Sequence, residues 1–184
     1  WLLRQTRPTL ESRNQAEAFR KLETDENALC TKPTVIALTP DRQDNKGLVP
    51  GFEGQWFKDL ELKTLLVRRI EQKVDYTDGY KLPGDVRENV SLRLIGWVKI
   101  DKPGTYTFIT AADDGSRLTI GDQKIIEDWV PHGVVEQAGR VKLKPGLHKI
   151  CVEYFQGGGP GAISVFWSGP DMPRRILSDS DVQC

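Results

Sequence analysis

Asp113 and Asp114 stand side by side within the stretch Thr110-Ala111-Ala112-Asp113-Asp114-Gly115-Ser116-Arg117-Leu118-Thr119-Ile120. Adjacent side chains on a regular strand point to opposite faces. The two carboxylates therefore serve one site only if the backbone turns between the flanking strand-like runs, Thr105 to Ile109 and Arg117 to Ile120, and Gly115 permits such a turn. Two like charges held together repel unless a cation, a ring of donors or water screens them. A hard, oxygen-seeking cation such as calcium is one solution. A tight turn in which each Asp caps a neighbouring backbone N–H is the other, and the residue types alone leave both open. A second chemically suggestive stretch is the glycine loop Gln156 to Gly161, where Gln156 is the one side chain with an oxygen. Glycines let a metal or ligand approach backbone carbonyls, and they equally make a flexible hairpin end. Trp129, after Ile125-Ile126-Glu127-Asp128, is either a wall on which a sugar ring stacks or a core and rim residue.

Other chemistry is excluded by spacing. The glycine loop fits GxGxxA from Gly157 through Gly159 to Ala162, but a strand-like run follows where a dinucleotide site needs a helix. An EF-hand begun at Asp113 places Lys124 where a bidentate Glu is required. GxSxG, HExxH and Walker motifs are absent, and His132 and His148 lack ligand-spaced partners. Asp122, Glu127 and Asp128 read as solvated turn and strand-end charges, so no catalytic residue is assigned. Twenty-six basic and twenty-six acidic residues cancel, leaving no global field for nucleic acid. No apolar run reaches transmembrane length. Cys30, Cys151 and Cys184 are too far apart in sequence for a zinc ribbon or a CxxC motif. They are compatible with three thiols, or with one disulfide from Cys30 to either Cys151 or Cys184.

The elements that must position these residues are mostly short strands. Eleven prolines and seventeen glycines punctuate the chain, as expected for an antiparallel β-protein. Strands are expected at Phe52 to Phe57, Ser91 to Ile100, Thr105 to Thr110, around the Gly121-Asp122 hairpin, at Val134 to Leu143, at Leu147 to Phe155 and at Ala162 to Trp167. Leu65 to Ile70 is apolar but of ambiguous type, and Tyr76 to Asn89 reads as an exposed loop. Alternation sets Leu92, Leu94, Gly96 and Val98 on one face of their strand, Tyr106, Phe108 and Thr110 on one side of theirs, and Ile150, Val152 and Tyr154 toward the core. The expected fold is all-β, an antiparallel two-sheet β-sandwich with a short helical N-terminal extension. Residues 1–46 form that extension or linker, with one helix from Leu10 to Leu29, and residues 47–184 form the sandwich.

Gly54-Gln55-Trp56-Phe57, Trp97-Val98-Lys99-Ile100 before Pro103-Gly104-Thr105-Tyr106-Thr107-Phe108, the Ala112 to Ile120 stretch with Glu127-Asp128-Trp129, and Tyr154-Phe155-Gln156-Gly157-Gly158-Gly159 before Ile163 to Trp167 occur in this order. Together they resemble the protective-antigen domain family, over roughly Gly47 to Asp179. The resemblance implies a β-sandwich module of the kind that includes calcium-dependent flocculin lectin domains. In those lectins an Asp-Asp pair joined by a cis peptide holds calcium, which coordinates two sugar hydroxyls. Asp113 and Asp114 match that pair. The lectins add an Asn and loop carbonyls, whereas the loop here has no Asn and offers Gln156 and the carbonyls of Gly157 to Gly161. The implied metal ligands are thus Asp113, Asp114, Gln156 and Gly158, and the implied glycan contacts are Asp113, Asp114, Trp129, Gln156 and Gly157. The expected function is a non-catalytic carbohydrate-binding module, possible in a calcium-dependent form, taking a glycan or polysaccharide. It would belong to a larger extracellular, cell-surface or cell-envelope protein, alongside other domains or subunits. The alternative is a structural or protein-interaction domain without sugar binding.

Overall fold

The computed structural model describes residues 37–76 and 87–184, and these form one two-sheet antiparallel β-sandwich. The expected helix from Leu10 to Leu29 lies outside the described residues, as does Cys30. Among the described residues there are twelve strands: β1 (Phe52–Phe57), β2 (Leu65–Glu71), β3 (Asp75–Tyr76), β4 (Val90–Ile100), β5 (Gly104–Asp113), β6 (Ser116–Ile120), β7 (Gln123–Asp128), β8 (Val135–Leu143), β9 (Gly146–Gln156), β10 (Ala162–Gly169), β11 (Met172–Ile176) and β12 (Val182–Gln183). One sheet runs β2-β1-β4-β9-β6-β7, with β12 also paired to β4. The other runs β11-β10-β5-β8, with β3 paired to β10.

Period-two alternation decides what faces inward. Leu92, Leu94 and Val98 of β4, Tyr106, Phe108 and Thr110 of β5, and Ile150, Val152 and Tyr154 of β9 are all buried, as their alternation requires. They meet Phe52, Trp56, Leu118, Ile120, Ile163, Val165 and Trp167 in a single core between the sheets. Leu65 to Glu71 resolves as an edge strand, which explains its ambiguous pattern. Its outer-face Ile70 is 52% exposed, while Glu71 on the inner face accepts a hydrogen bond of 2.8 Å from the Trp56 indole N–H.

The stretch before β1 runs over the β8–β9 turn. Leu38 makes a parallel bridge with Leu143 of the edge strand β8, and the Arg42 backbone exchanges hydrogen bonds with Leu147. The Asp41 carboxylate accepts from the Lys149 N–H at 2.8 Å. Gly146 sits beneath this strap at φ +131°, and a Cβ there would lie 2.5 Å from the Pro40 ring. Only glycine suits both conditions.

Candidate functional site

The chain changes sheets at the aspartate pair. Up to Asp113 the backbone is ladder-bonded in β5, where Asp113 pairs with Ala162 of β10. From Ser116 it belongs to β6 in the opposite sheet, where Ser116 pairs with Tyr154 of β9. The glycine loop makes the return crossing, from Gln156 at the end of β9 to Ala162 at the start of β10. Two sheet-to-sheet crossovers therefore run side by side at one end of the sandwich. That juxtaposition brings residues some forty positions apart into one place.

The Asp113–Asp114 peptide is cis, the arrangement implied by the family resemblance. Gly115 differs from its expected role, for it is not at positive φ. A Cβ there would lie 2.5 Å from both the Asp128 carbonyl oxygen and the Phe155 ring, and 3.0 Å from the Val130 nitrogen. Glycine is required by close approach, because the loop after β7 and the end of β9 press on this backbone from two sides.

Asp114 is 8% exposed, and both of its carboxylate oxygens accept backbone hydrogen bonds. Oδ2 accepts from the Gly157 N–H at 2.8 Å and Oδ1 from the His132 N–H at 3.1 Å. One side chain thus ties the crossover to the glycine loop and to the loop after β7. Each oxygen retains a further lone pair. His132 is itself held by acceptors on both ring nitrogens, the Gly133 carbonyl at 2.7 Å and the Asp128 carboxylate at 3.0 Å. The Gly133 carbonyl, then the Asp128 and Asp114 carboxylates, raise its pKa above the ordinary histidine value against an opposing effect of burial.

Gln156 is fully buried. Its amide nitrogen donates to the carbonyls of Gly158 at 2.8 Å and Gly159 at 3.2 Å, and its Oε1 lies 3.1 Å from the Tyr154 hydroxyl. That hydroxyl donates to the Asp113 carbonyl at 2.7 Å. The side-chain oxygen expected at a metal thus faces a tyrosine in this structure, and the amide holds the loop from within. Trp129 packs on Phe155 with ring centroids 4.8 Å apart, and the Arg117 guanidinium lies 4.0 Å above its ring. One face of that indole is therefore taken by a cation.

Sequence reading missed three participants. Glu88 lies against the glycine loop, with the Gly159 N–H at 3.4 Å from its Oε1 and the Asn89 N–H bonded to the Gly157 carbonyl at 3.1 Å. Nothing in the charged, turn-rich run around Glu88 marked it. The His132 main-chain amide carries no side-chain signal at all. Tyr154 is buried, as its alternation predicts, but its hydroxyl works at the crossover.

The candidate ligands are oxygens, the carboxylates of Asp113 and Asp114 and the carbonyls of the glycine loop, which suits a hard cation such as calcium. Among the described residues no three His, Cys, Asp or Glu side chains gather as a metal-ligand group. A cation here would need carbonyls, water or ligand hydroxyls to complete its shell. Cys151 and Cys184 are free thiols. No helix among the described residues is long and apolar enough to cross a membrane.

A two-sheet sandwich with an Asp-Asp crossover beside a glycine loop defines a class of small modules. Residues 48–181 match the PA14 domain, and the chain belongs to that family. It is 28% identical over 138 residues to the anti-sigma-I factor RsgI3 of Acetivibrio thermocellus, covering 73% of this chain and 21% of that protein. The chain spans only about a fifth of the curated relatives it matches. Among solved structures it resembles the PA14 sugar-binding domain from an RTX adhesin, with a TM-score of 0.63, 17% identity, and 73% of this chain and 98% of that one covered. It also resembles the epithelial adhesin 9 A domain of Candida glabrata in complex with Galβ1-3GlcNAc, with a TM-score of 0.62, 12% identity, and 80% and 96% covered. At such identities these two likenesses concern the fold.

Proposed function

We propose that this domain is a non-catalytic carbohydrate-binding module that uses calcium. The observation that carries this reading is the meeting of the Asp113–Asp114 crossover with the glycine loop, fastened by the Asp114–Gly157 hydrogen bond of 2.8 Å. Asp113 and Asp114 would hold the ion with carbonyls of the loop, Gly158 among them, and Gly157 and Trp129 would border the glycan. Calcium, when bound, offers a positive centre to vicinal sugar hydroxyls, which replace part of its hydration shell. Asp114 is pre-oriented by two amide hydrogens, so little ordering remains to be done on binding. Its structural likeness to a sugar-binding domain of an RTX adhesin and to an epithelial adhesin domain supports the same reading. The domain would then act within a larger extracellular, cell-surface or cell-envelope protein.

Calorimetric calcium titration of the wild type and of an Asp113→Asn/Asp114→Asn variant tests this, followed by a glycan array with and without chelator. Calcium heat lost in the variant, with chelator-sensitive glycan signals, is expected. No heat and no glycan signal in the wild type would sink it. The second reading, a structural or protein-interaction domain, is favoured by one observation: both Asp114 oxygens already staple backbone amides of two loops. The relative named as an anti-sigma factor points the same way. In that case the double variant loses thermal stability while no ligand is found.

A further inference from the structure

We infer that Tyr154 and Gln156 are positioning residues, an internal brace that sets the glycine loop against the Asp113–Asp114 crossover and so tunes calcium affinity without touching the ion. The inference rests on the reading of the site given above. The two side chains form a continuous path from one crossover to the other. The Tyr154 hydroxyl donates to the Asp113 carbonyl at 2.7 Å and lies 3.1 Å from Gln156 Oε1. Both amide hydrogens of Gln156 have acceptors on the loop, the carbonyls of Gly158 and Gly159. Two facing carbonyls demand the NH2 end of the amide, which leaves the oxygen end for the tyrosine.

Neither residue has access to water. Tyr154 is 1% exposed and Gln156 is fully buried, so solvent cannot stand in for a lost partner. A loop of three consecutive glycines has little conformational preference of its own. Its position must come from outside contacts, and the described ones are few: Gln156 from within, Asp114 on Gly157, and the Glu88-Asn89 segment on Gly157 and Gly159. The first is fully buried and grips two carbonyls at once. Groups one step removed from a metal commonly change affinity by about 10–100-fold when altered.

The variants that test this are Tyr154→Phe, which removes one oxygen, and Gln156→Met, which keeps the volume and removes both donor and acceptor. Val182→Ala serves as a control, since Val182 is a core residue of β12, away from the crossover. In calcium-free protein, amide exchange at Gly157 should accelerate tenfold or more in both brace variants and stay unchanged in the control. Calcium titration should then show the dissociation constant rising about 10–100-fold in the brace variants alone. Unchanged Gly157 exchange in both variants, or the same acceleration in Val182→Ala, would overturn the brace. If the wild type takes up no calcium, the reading of the site fails, while the exchange data still decide whether the brace exists. Calcium uptake with equal affinity in all variants would overturn the tuning while leaving the site standing.

Discussion

Asp114 illustrates how one residue type can serve two ends. Its carboxylate is buried, yet each oxygen meets a backbone N–H, and a carboxylate so held is both a structural staple and a pre-aimed acceptor. Beside it, Gly115→Ala should cost about 1–3 kcal/mol, because a new methyl would overlap the Asp128 carbonyl and the Phe155 ring. Urea denaturation of the variant measures this directly. Asp59 offers a cleaner electrostatic case. Its carboxylate accepts from the Glu61, Lys63 and Thr64 amides. The Lys63 backbone bond first, with the Thr64 and Glu61 bonds, holds its pKa far below the usual carboxylate range. A depressed carboxylate contributes stability above its unfolded pKa and loses it as pH falls. The stability gap between wild type and Asp59→Asn should therefore be full at neutral pH and shrink as pH drops below ~4. Denaturation curves at several pH values would reveal a pH-independent gap if this account were wrong. Cys151 is half-buried on the outer face of β9, and burial pushes its thiol up to about 11. At pH 8 its alkylation by iodoacetamide should run on the order of a hundredfold slower than that of a free cysteine, since only the thiolate attacks. Peptide mapping after timed alkylation reads that rate.

At the scale of elements, the crossovers matter more than the strands. Neither β5 nor β6 is unusual in itself, but the switch between sheets at Asp113 to Gly115 lies beside the reverse switch at Gly157 to Gly161. The strap over the β8–β9 turn performs a different service, adding main-chain bonds beside the edge strand β8. Exposed edges invite unwanted pairing, so this cover should matter for solubility as well as stability. Leu38 is half-buried and packs on the core. Leu38→Ala should lower stability by about 1–3 kcal/mol, and a calorimetric melt would show no shift if the strap were a passive neighbour. β11 and β12 were not foreseen. Pro173 with Arg174 and Arg175 shows no alternation, and β11 tolerates them because it is the last strand of its sheet. Strand β12 is two residues long and exists only because β4 offers it a free edge at Trp97 and Val98.

For the molecule as a whole, the match to parts of much longer proteins places weight on what one domain can do alone. On the proposed reading each calcium-and-hydroxyl site is a weak binder, so glycan retention should rise steeply when copies are joined. A tandem dimer of this domain on a flexible linker should bind a polysaccharide surface at least tenfold more tightly than the monomer. Surface plasmon resonance of the two forms compares them, and equal affinity would argue against a repeated-glycan ligand. The sequence by itself determined the class of fold, because alternating apolar residues at Leu92, Leu94, Tyr106, Phe108, Ile150 and Val152 can bury only one face of each strand. It also marked the aspartate pair and the glycine loop as candidates, since residue types are read directly along the chain. What the tertiary structure alone decided is which atoms they meet. Gln156 turned inward to brace its own loop, Arg117 settled on Trp129, and Glu88 and the His132 amide came to the site from elsewhere in the chain. Those contacts join residues up to 71 positions apart. They follow from the packing of two sheets, and no periodicity along the chain encodes them.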